Sequence, residues 1–420
     1  MNVAVIGGGG REHALARKLA SSRRVEKIFA VPGNDGMRDV AEVRPEIGET
    51  DFEALADLCI ENAVEWVIVG PEAPLNEGVA DFLEGKGIKV FGPRKAESKI
   101  ESSKAFAKDI MERYGIPTAK YQSFTDYDAA YQYIESVGAP IVLKKDGLAA
   151  GKGVVVATDM DEALAGLDAL MEGADAPVVI EEFLEGEEFS LMVLVNGEYT
   201  HSFEIIAQDH KRAFDGDEGP NTGGMGVYAP VEHISESVRK AAVEQIVEPM
   251  AHAMVAEGLD YFGVLYLGAI VTEEGVKVIE FNARFGDPEA QILLSLMKDD
   301  FIDVLEKVER KESFELTFAP GHQVGVMLAS AGYPLAYEKG HTIDFDDVRD
   351  ACYVSGLKQE DGRWCTNGGR VLLVTGEGAT IEAAVDAAYA NVDRVSFDGE
   401  ALFLRRDIAR RALNQGRPEA

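Results

Sequence analysis

Glu280 and Asn282 lie two residues apart in "VKVIEFNARFGDPEAQ". On a strand that spacing puts a carboxylate and an amide oxygen on one face, with Ile279 and Phe281 on the other. Two hard oxygen donors suit Mg²⁺, and the nearby Arg284 could hold an anionic substrate. The plainer alternative is a strand end with salt bridges. An acid and amide pair beside apolar residues and an "RFGDPE" turn argues against it.

A second chemistry-bearing stretch is "LKKDGLAAGKGVVVA", where a strand ends in Lys144 and a loop carries Gly147, Gly151 and Gly153 into another strand. Glycines let backbone N–H groups approach a polyphosphate, and Lys144 and Lys152 add charge. It is not a P-loop, which would lead into a helix; an ordinary glycine-rich hairpin is the competing reading. In "VVIEEFLEGEEFS", the segment from Glu181 to Leu184 could offer backbone groups to an adenine edge and Glu188 could accept ribose hydroxyls; an exposed acidic turn is the simpler account. Residues 208–230, "QDHKRAFDGDEGPNTGGMGVYAP", are long, polar and glycine-rich. With Lys211, Arg212, Asp215 and Asp217 they read as a functional lid rather than a linker.

The N-terminal "VAVIGGGGREHALARKLA" outlines a strand, a tight glycine turn and a helix. A dinucleotide fingerprint fails here. Its third glycine would fall on Glu12 or His13, and the next strand, "KIFAV", runs into Pro32 and Gly33 instead of the acid that holds an adenosine ribose. What remains is a glycine turn at a helix start beside Arg11, suited to a phosphate.

These groups need elements to position them. Up to about residue 100, short β-rich runs ("VAVIG", "KIFAV", "EWVIVG", "IKVFG") alternate with helical ones, the pattern of a parallel sheet with crossover helices, whose ligands bind at the C-terminal strand ends. The expected architecture is multidomain α/β and α+β. It has an N-terminal Rossmann-like domain over 1–101, a nucleotide-binding region over 102–325 with a lid subdomain near 121–190, and a small β-rich C-terminal domain over 326–420.

The chain has 420 residues and a net charge of −33, from 41 Lys and Arg against 74 Asp and Glu. That charge argues against nucleic acid or an anionic membrane as partner, and any phosphate must be bound where local cations overturn the field. Spread along the chain, the excess acid also fits a surface suited to high salt. Three cysteines and seven histidines show no metal-ligand spacing. The longest apolar run, Tyr261 to Val271, is far short of the ~20 residues of a membrane span, and no leader pattern opens the chain, so a cytoplasmic location is expected.

Taken together the motifs resemble those of ATP-grasp ligases, and specifically of the glycinamide ribonucleotide synthetase family. The resemblance runs nearly end to end through "GGGGREHAL", "VPGNDG", "IVGPEAPL", "SSKAFAKDIMERYGIPTA", "DGLAAGKGVVVA", "QDHKRAFDGDEGPNTGGMG", "EFNARFGDPEAQ" and "TNGGRV". It implies ligation of glycine to 5-phosphoribosylamine through glycyl phosphate, in a monomer or weak homo-oligomer, with ATP and Mg²⁺ (Mn²⁺ as an alternative). By resemblance Lys104 and Lys144 contact phosphates, and the loop from Gly147 through Gly151 to Gly153 covers them. Glu181, Leu184 and Glu188 form the adenosine turn, and Glu280 and Asn282 hold metal. Arg284 and Asp215 lie near the reacting glycine and amine. Gly9, Gly10, Arg11 and Glu12, with Glu72 of "GPEAPL", hold the phosphoribosyl substrate, which Arg370 of "TNGGRV" is also expected to reach.

Two departures stand out. Lys145 occupies a position usually small in the family, and strand alternation lets only one of Lys144 and Lys145 face the phosphates. In addition, "GVLYLGAIV" lacks the carboxylate that many ATP-grasp enzymes carry on the strand before the metal pair, leaving open how a second Mg²⁺ is held. Rival readings are a formate-using ribonucleotide transformylase or another ATP-grasp ligase, a nicotinamide dehydrogenase, and a non-catalytic nucleotide sensor.

Overall fold

The computed structural model describes residues 1–148, 153–172 and 177–414. Five parallel strands open the chain, in the spatial order Glu42–Val43, Lys27–Pro32, Asn2–Gly7, Val64–Val69, Lys89–Phe91. Val3, Ala4, Val5 and Ile6 are all buried, because helices cover both faces of a parallel sheet and leave no polar side to the central strand. The strand order reverses direction beside Asn2–Gly7, so a crevice opens at the carboxyl ends of that strand and Val64–Val69.

A four-stranded antiparallel sheet follows, ordered Tyr121–Phe124, Val178–Glu182, Ile141–Lys145, Val154–Ala157. With helices Tyr127–Val137 and Met160–Met171 it encloses its own apolar core around Ile134, Leu143, Leu167 and Ile180. A second antiparallel sheet pairs Glu187–Asn196 along its length with Phe262–Thr272, which in turn pairs with Gly275–Asn282. The nucleotide motifs therefore sit on two sheets of different subdomains.

A third sheet joins distant parts of the chain. Gln208–Asp209 and Gly226–Ala229 continue into His322–Ser330, Arg370–Gly378 and Cys352–Val354, and Leu402–Phe403 pairs with His322–Ser330. The boundary placed at 325/326 falls inside the buried strand His322–Ser330; its polar start, His322 and Gln323, gave no apolar signal, yet both residues are buried. Residues 208–230 are likewise not an irregular lid. They form strand segments and a hairpin, Arg212–Phe214 against Glu218–Asn221, with Gly216 at φ +79 in its turn. The three cysteines are buried and free.

Candidate active site

The glycine-rich connection is a hairpin: Lys144 pairs with Val154, and the Lys145 amide donates to the Gly153 carbonyl at 2.8 Å. Gly151 lies outside the described residues. Lys144 is the lysine that faces inward. Its Nζ donates to Glu181 Oε2 at 3.0 Å and to the Ile279 carbonyl at 3.1 Å, which ties the lid strand to the strand carrying Glu280. Glu181 also pairs with the buried Lys108 at 3.2 Å, so its side chain serves the lysines, while Leu184 sits half-buried in the following turn.

Lys104 is set by its helix start. Ser103 Oγ caps the Lys104–Arg113 helix, Asp146 of the glycine loop accepts the Ala105 amide at 3.3 Å, and Lys104 Nζ donates to the Gly147 carbonyl at 2.9 Å. A capping carboxylate thus fixes the glycine loop against the helix.

On the facing sheet Glu280 lies opposite Gly268, and Lys211 stands between two carboxylates, 3.3 Å from Glu188 and 4.0 Å from Glu280. Burial raises the Glu280 carboxyl, but Lys211, Lys144, Lys104 and Arg284 outweigh it and hold the group below the usual carboxylate range. Burial works against the Lys211 charge, and Glu188, Asp209 and Glu280 hold it well above the ordinary lysine value. Four cations from different elements thus converge on Glu280.

Arg284 is oriented by two carboxylates, Glu101 at 2.8 Å and Glu72 at 3.5 Å, and also donates to the Phe285 carbonyl and Asn282 Oδ1. The structure separates Asp215 from Arg284. Asp215 is exposed and accepts the Arg406 amide at 2.8 Å, because the hairpin turns it toward the C-terminal segment. The carboxylate that the same stretch directs inward is Asp209, whose pKa rises well above normal through burial and the nearby Glu289. Glu289 is buried and accepts from Ser190 Oγ at 2.9 Å, which also meets the Tyr266 hydroxyl. Sequence reasoning missed Glu101, Asp209 and Glu289; Glu101 adjoins a motif already singled out and Asp209 and Glu289 lie inside two of them, but single carboxylates carry no periodic signal.

At the N-terminal turn Arg11 and Glu12 are held by partners within the protein. Arg11 and Glu12 are buried and paired with each other; Arg11 donates to the Phe285 carbonyl at 3.1 Å and Glu12 accepts the Gly9 amide at 2.6 Å. Both side chains lock the turn against the rest of the protein. A Cβ at Gly70 would stand 2.0 Å from Glu12 Oε1, so the acid fills the space between two strand ends. Gly10 is packed under Ser355 and Gln291, whereas Gly8 and Gly9 line a cleft of about 520 Å³ together with Asn34, Asp287, Asn367 and Arg370. Arg370 crosses the base of this cleft, donating to the Gly223 carbonyl at 2.7 Å and the Asp287 carbonyl at 2.8 Å. The glycine turns at both ends of the chain therefore face each other.

Three family models match in succession: the phosphoribosylglycinamide synthetase N domain over residues 1–101, its ATP-grasp (A) domain over 102–290 and its C domain over 323–411. A phosphoribosylamine–glycine ligase of Listeria innocua is 50% identical over 98% of this chain and 100% of its own length, and one of Halalkalibacterium halodurans is 48% identical over 98% and 97%. Among solved structures, the phosphoribosylamine–glycine ligase of Thermotoga maritima superposes with a TM-score of 0.84 at 34% identity, covering 97% of this chain and 100% of that one. The biotin carboxylase domain of a Hydrogenobacter thermophilus 2-oxoglutarate carboxylase, at 17% identity and a TM-score of 0.69 over 96% and 91%, shares the fold alone. With all three domain models in order and near-half identity over almost its whole length, the chain belongs to the phosphoribosylglycinamide synthetase family.

Proposed function

We propose that this chain uses ATP to join glycine to 5-phosphoribosylamine, giving glycinamide ribonucleotide, ADP and phosphate. The observation that carries the reading is the place of Arg284. Glu101 and Glu72 hold it where the Glu280 strand meets the N-terminal domain, between the lysine-rich nucleotide site and the cleft formed by Gly8, Gly9 and Arg370.

A carboxylate is a poor electrophile and must first be activated. A glycine carboxylate oxygen forms a bond to the γ-phosphorus as the bond to ADP breaks. The amine nitrogen then attacks the acyl carbon, phosphate leaves, and the nitrogen loses a proton. Lys104, Lys144 and Lys211 neutralise charge on the transferred group, and positioning does the rest. Arg284 suits the carboxylate and acyl phosphate by bidentate contact. Asp209 and Glu289 suit the glycine ammonium. The hairpin from Lys144 to Val154 would cover the phosphates and shield an acyl phosphate from water.

Glu280 and Asn282 fit a divalent cation. Glu280 is held ionised and both donors are hard oxygens, but among the described residues no three His, Cys, Asp or Glu side chains gather as a metal cage. Such an ion, Mg²⁺ or Mn²⁺, would take its remaining ligands from phosphate and water and neutralise phosphate charge. Among the described residues no helix is long and apolar enough to cross a membrane.

The test is ADP release with ATP, Mg²⁺, glycine and freshly generated phosphoribosylamine, omitting one component at a time. Turnover should require every one. Release that continues without glycine, or that formate or bicarbonate supports instead, would overturn the reading.

A further inference from the structure

The last described residues make a dense ionic contact that the chemistry above leaves unused. Arg405 is fully buried, and its guanidinium forks onto Asp407 at 2.7 Å through both Nε and Nη2, reaches Asp217 Oδ1 at 3.0 Å, and donates through Nη1 to the Arg212 carbonyl at 3.1 Å. Asp217 Oδ2 also receives Arg410 at 2.6 Å and Arg411 at 3.1 Å, so three arginines converge on one carboxylate of the hairpin turn. Two backbone bonds cross in opposite directions: Gly216 N–H to Asp407, and Arg406 N–H to Asp215.

This contact grips both elements that present Lys211. On one side, the Ala409 amide donates to His210 Nε2 at 3.2 Å, next in sequence to Lys211. Ala409 itself is buried with φ +65, a left-handed conformation that a side-chain-bearing residue holds only under constraint. On the other side, Arg411 pairs at 3.2 Å with Glu187, the neighbour of Glu188, to which Lys211 is bonded. Glu187 in turn accepts from Gln208 at 2.8 Å and meets His233 at 3.0 Å. Residues 405–411 thus join the strand of Glu188 to the loop of Lys211.

We propose that the arginine-rich segment 405–411 is a positioning clamp for the ligase reaction, fixing Lys211 between Glu188 and Glu280, and that Arg405 and Asp217 are its positioning residues. A buried guanidinium with three separate hydrogen-bonded partners allows one arrangement of hairpin and tail, whereas a surface ion pair would allow many. The clamp acts on the nucleotide end of the site, away from the cleft between Gly8 and Arg370. Its loss should therefore divide the kinetic constants.

The kinetic arm rests on the ligase reading; the exchange arm does not. Asp217→Asn keeps shape and removes the charge on which the arginines converge. The result expected is a folded variant with faster amide hydrogen exchange across residues 208–222, a kcat lower by about tenfold or more, a raised KM for ATP, and an unchanged KM for phosphoribosylamine. Should that variant not fold, Arg411→Gln at the more exposed end of the same network is held to the same readings. Unchanged exchange over 208–222 overturns the proposal, as does faster exchange there with wild-type kcat and KM for ATP. A wild-type enzyme without glycine-dependent turnover would count against the ligase reading, and exchange would still decide whether the clamp holds the loop.

Discussion

Glu101 holds Arg284 at two points: Glu101 Oε1 lies 2.8 Å from the guanidinium, and Oε2 accepts the Ala283 amide at 2.7 Å. Glu101 thereby fixes both the side chain and the backbone that carries it. Burial raises its pKa, and the Arg284 charge opposes the rise. Glu101→Gln should lower kcat/KM for glycine by about 100-fold, the cost of misplacing an orienting group by an ångström, with ATP affinity unchanged. Arg284→Ala should do at least as much. Initial rates with glycine varied, beside nucleotide binding measured separately, check this; a defect confined to ATP affinity would remove the role given to Arg284.

Glu280→Gln should leave the fold intact and reduce turnover by about 10²–10³-fold, because the charge that would hold a divalent ion is lost while three lysines remain. A titration of rate against Mg²⁺ should shift to higher concentration. Wild-type ATP turnover in this variant would sink the metal assignment.

Acid should weaken the fold through buried histidine. Burial and the nearby Arg405 push the His210 pKa down to about 4 from an ordinary 6.5, although Asp217 and Asp407 oppose them. Below pH 6.5 the unfolded chain takes up a proton that the folded one refuses, so stability falls as pH drops through 6.5 and levels out near 4. The loss amounts to about 3 kcal/mol for this residue. His13, whose Nδ1 accepts the Val354 amide at 2.9 Å, adds to the slope in the same direction. Urea midpoints at pH 7.5 and pH 5 should differ less for His210→Asn than for the wild type; equal differences would contradict the assignment.

Gly8→Ala should damage the sugar-phosphate end alone. A Cβ there would stand 2.7 Å from the Gly33 carbonyl oxygen, and the turn must shift to admit it. Overpacking of this kind costs about 1–3 kcal/mol, which is about 5- to 150-fold if it falls on affinity. KM for phosphoribosylamine should rise while KM for ATP stays constant, as read from ADP release with each substrate varied.

Much of this site follows from local pattern. Strand alternation places Glu280 and Asn282 on one face and separates Lys144 from Lys145, and the β-rich runs around the glycines imply the hairpin that forms. What alternation cannot say is which faces meet. Lys144 points inward because Glu181 and the Ile279 carbonyl await it from two other strands. Arg11 looks like a ligand-facing cation beside a glycine turn, yet the buried Glu12 and a carbonyl of a remote loop claim it. Asp209 and Asp215 are equivalent acids in sequence terms. Asp209 is held in the strand paired with Gly226–Ala229, whereas Asp215 follows the hairpin's docking on residues 405–407, long-range contacts that no window of sequence contains.

The cleft that brings Gly8 and Gly9 against Asn367 and Arg370 has a consequence for the birth of the enzyme. Its two walls come from residues 8–9 and 367–370, far apart in sequence, and closing so long a loop must wait until both segments have been made. A nascent or prematurely terminated chain could assemble the nucleotide lid and still have no place for the sugar phosphate. On the proposed reading, synthesis through Arg370 is built into the geometry as a condition for binding the sugar phosphate.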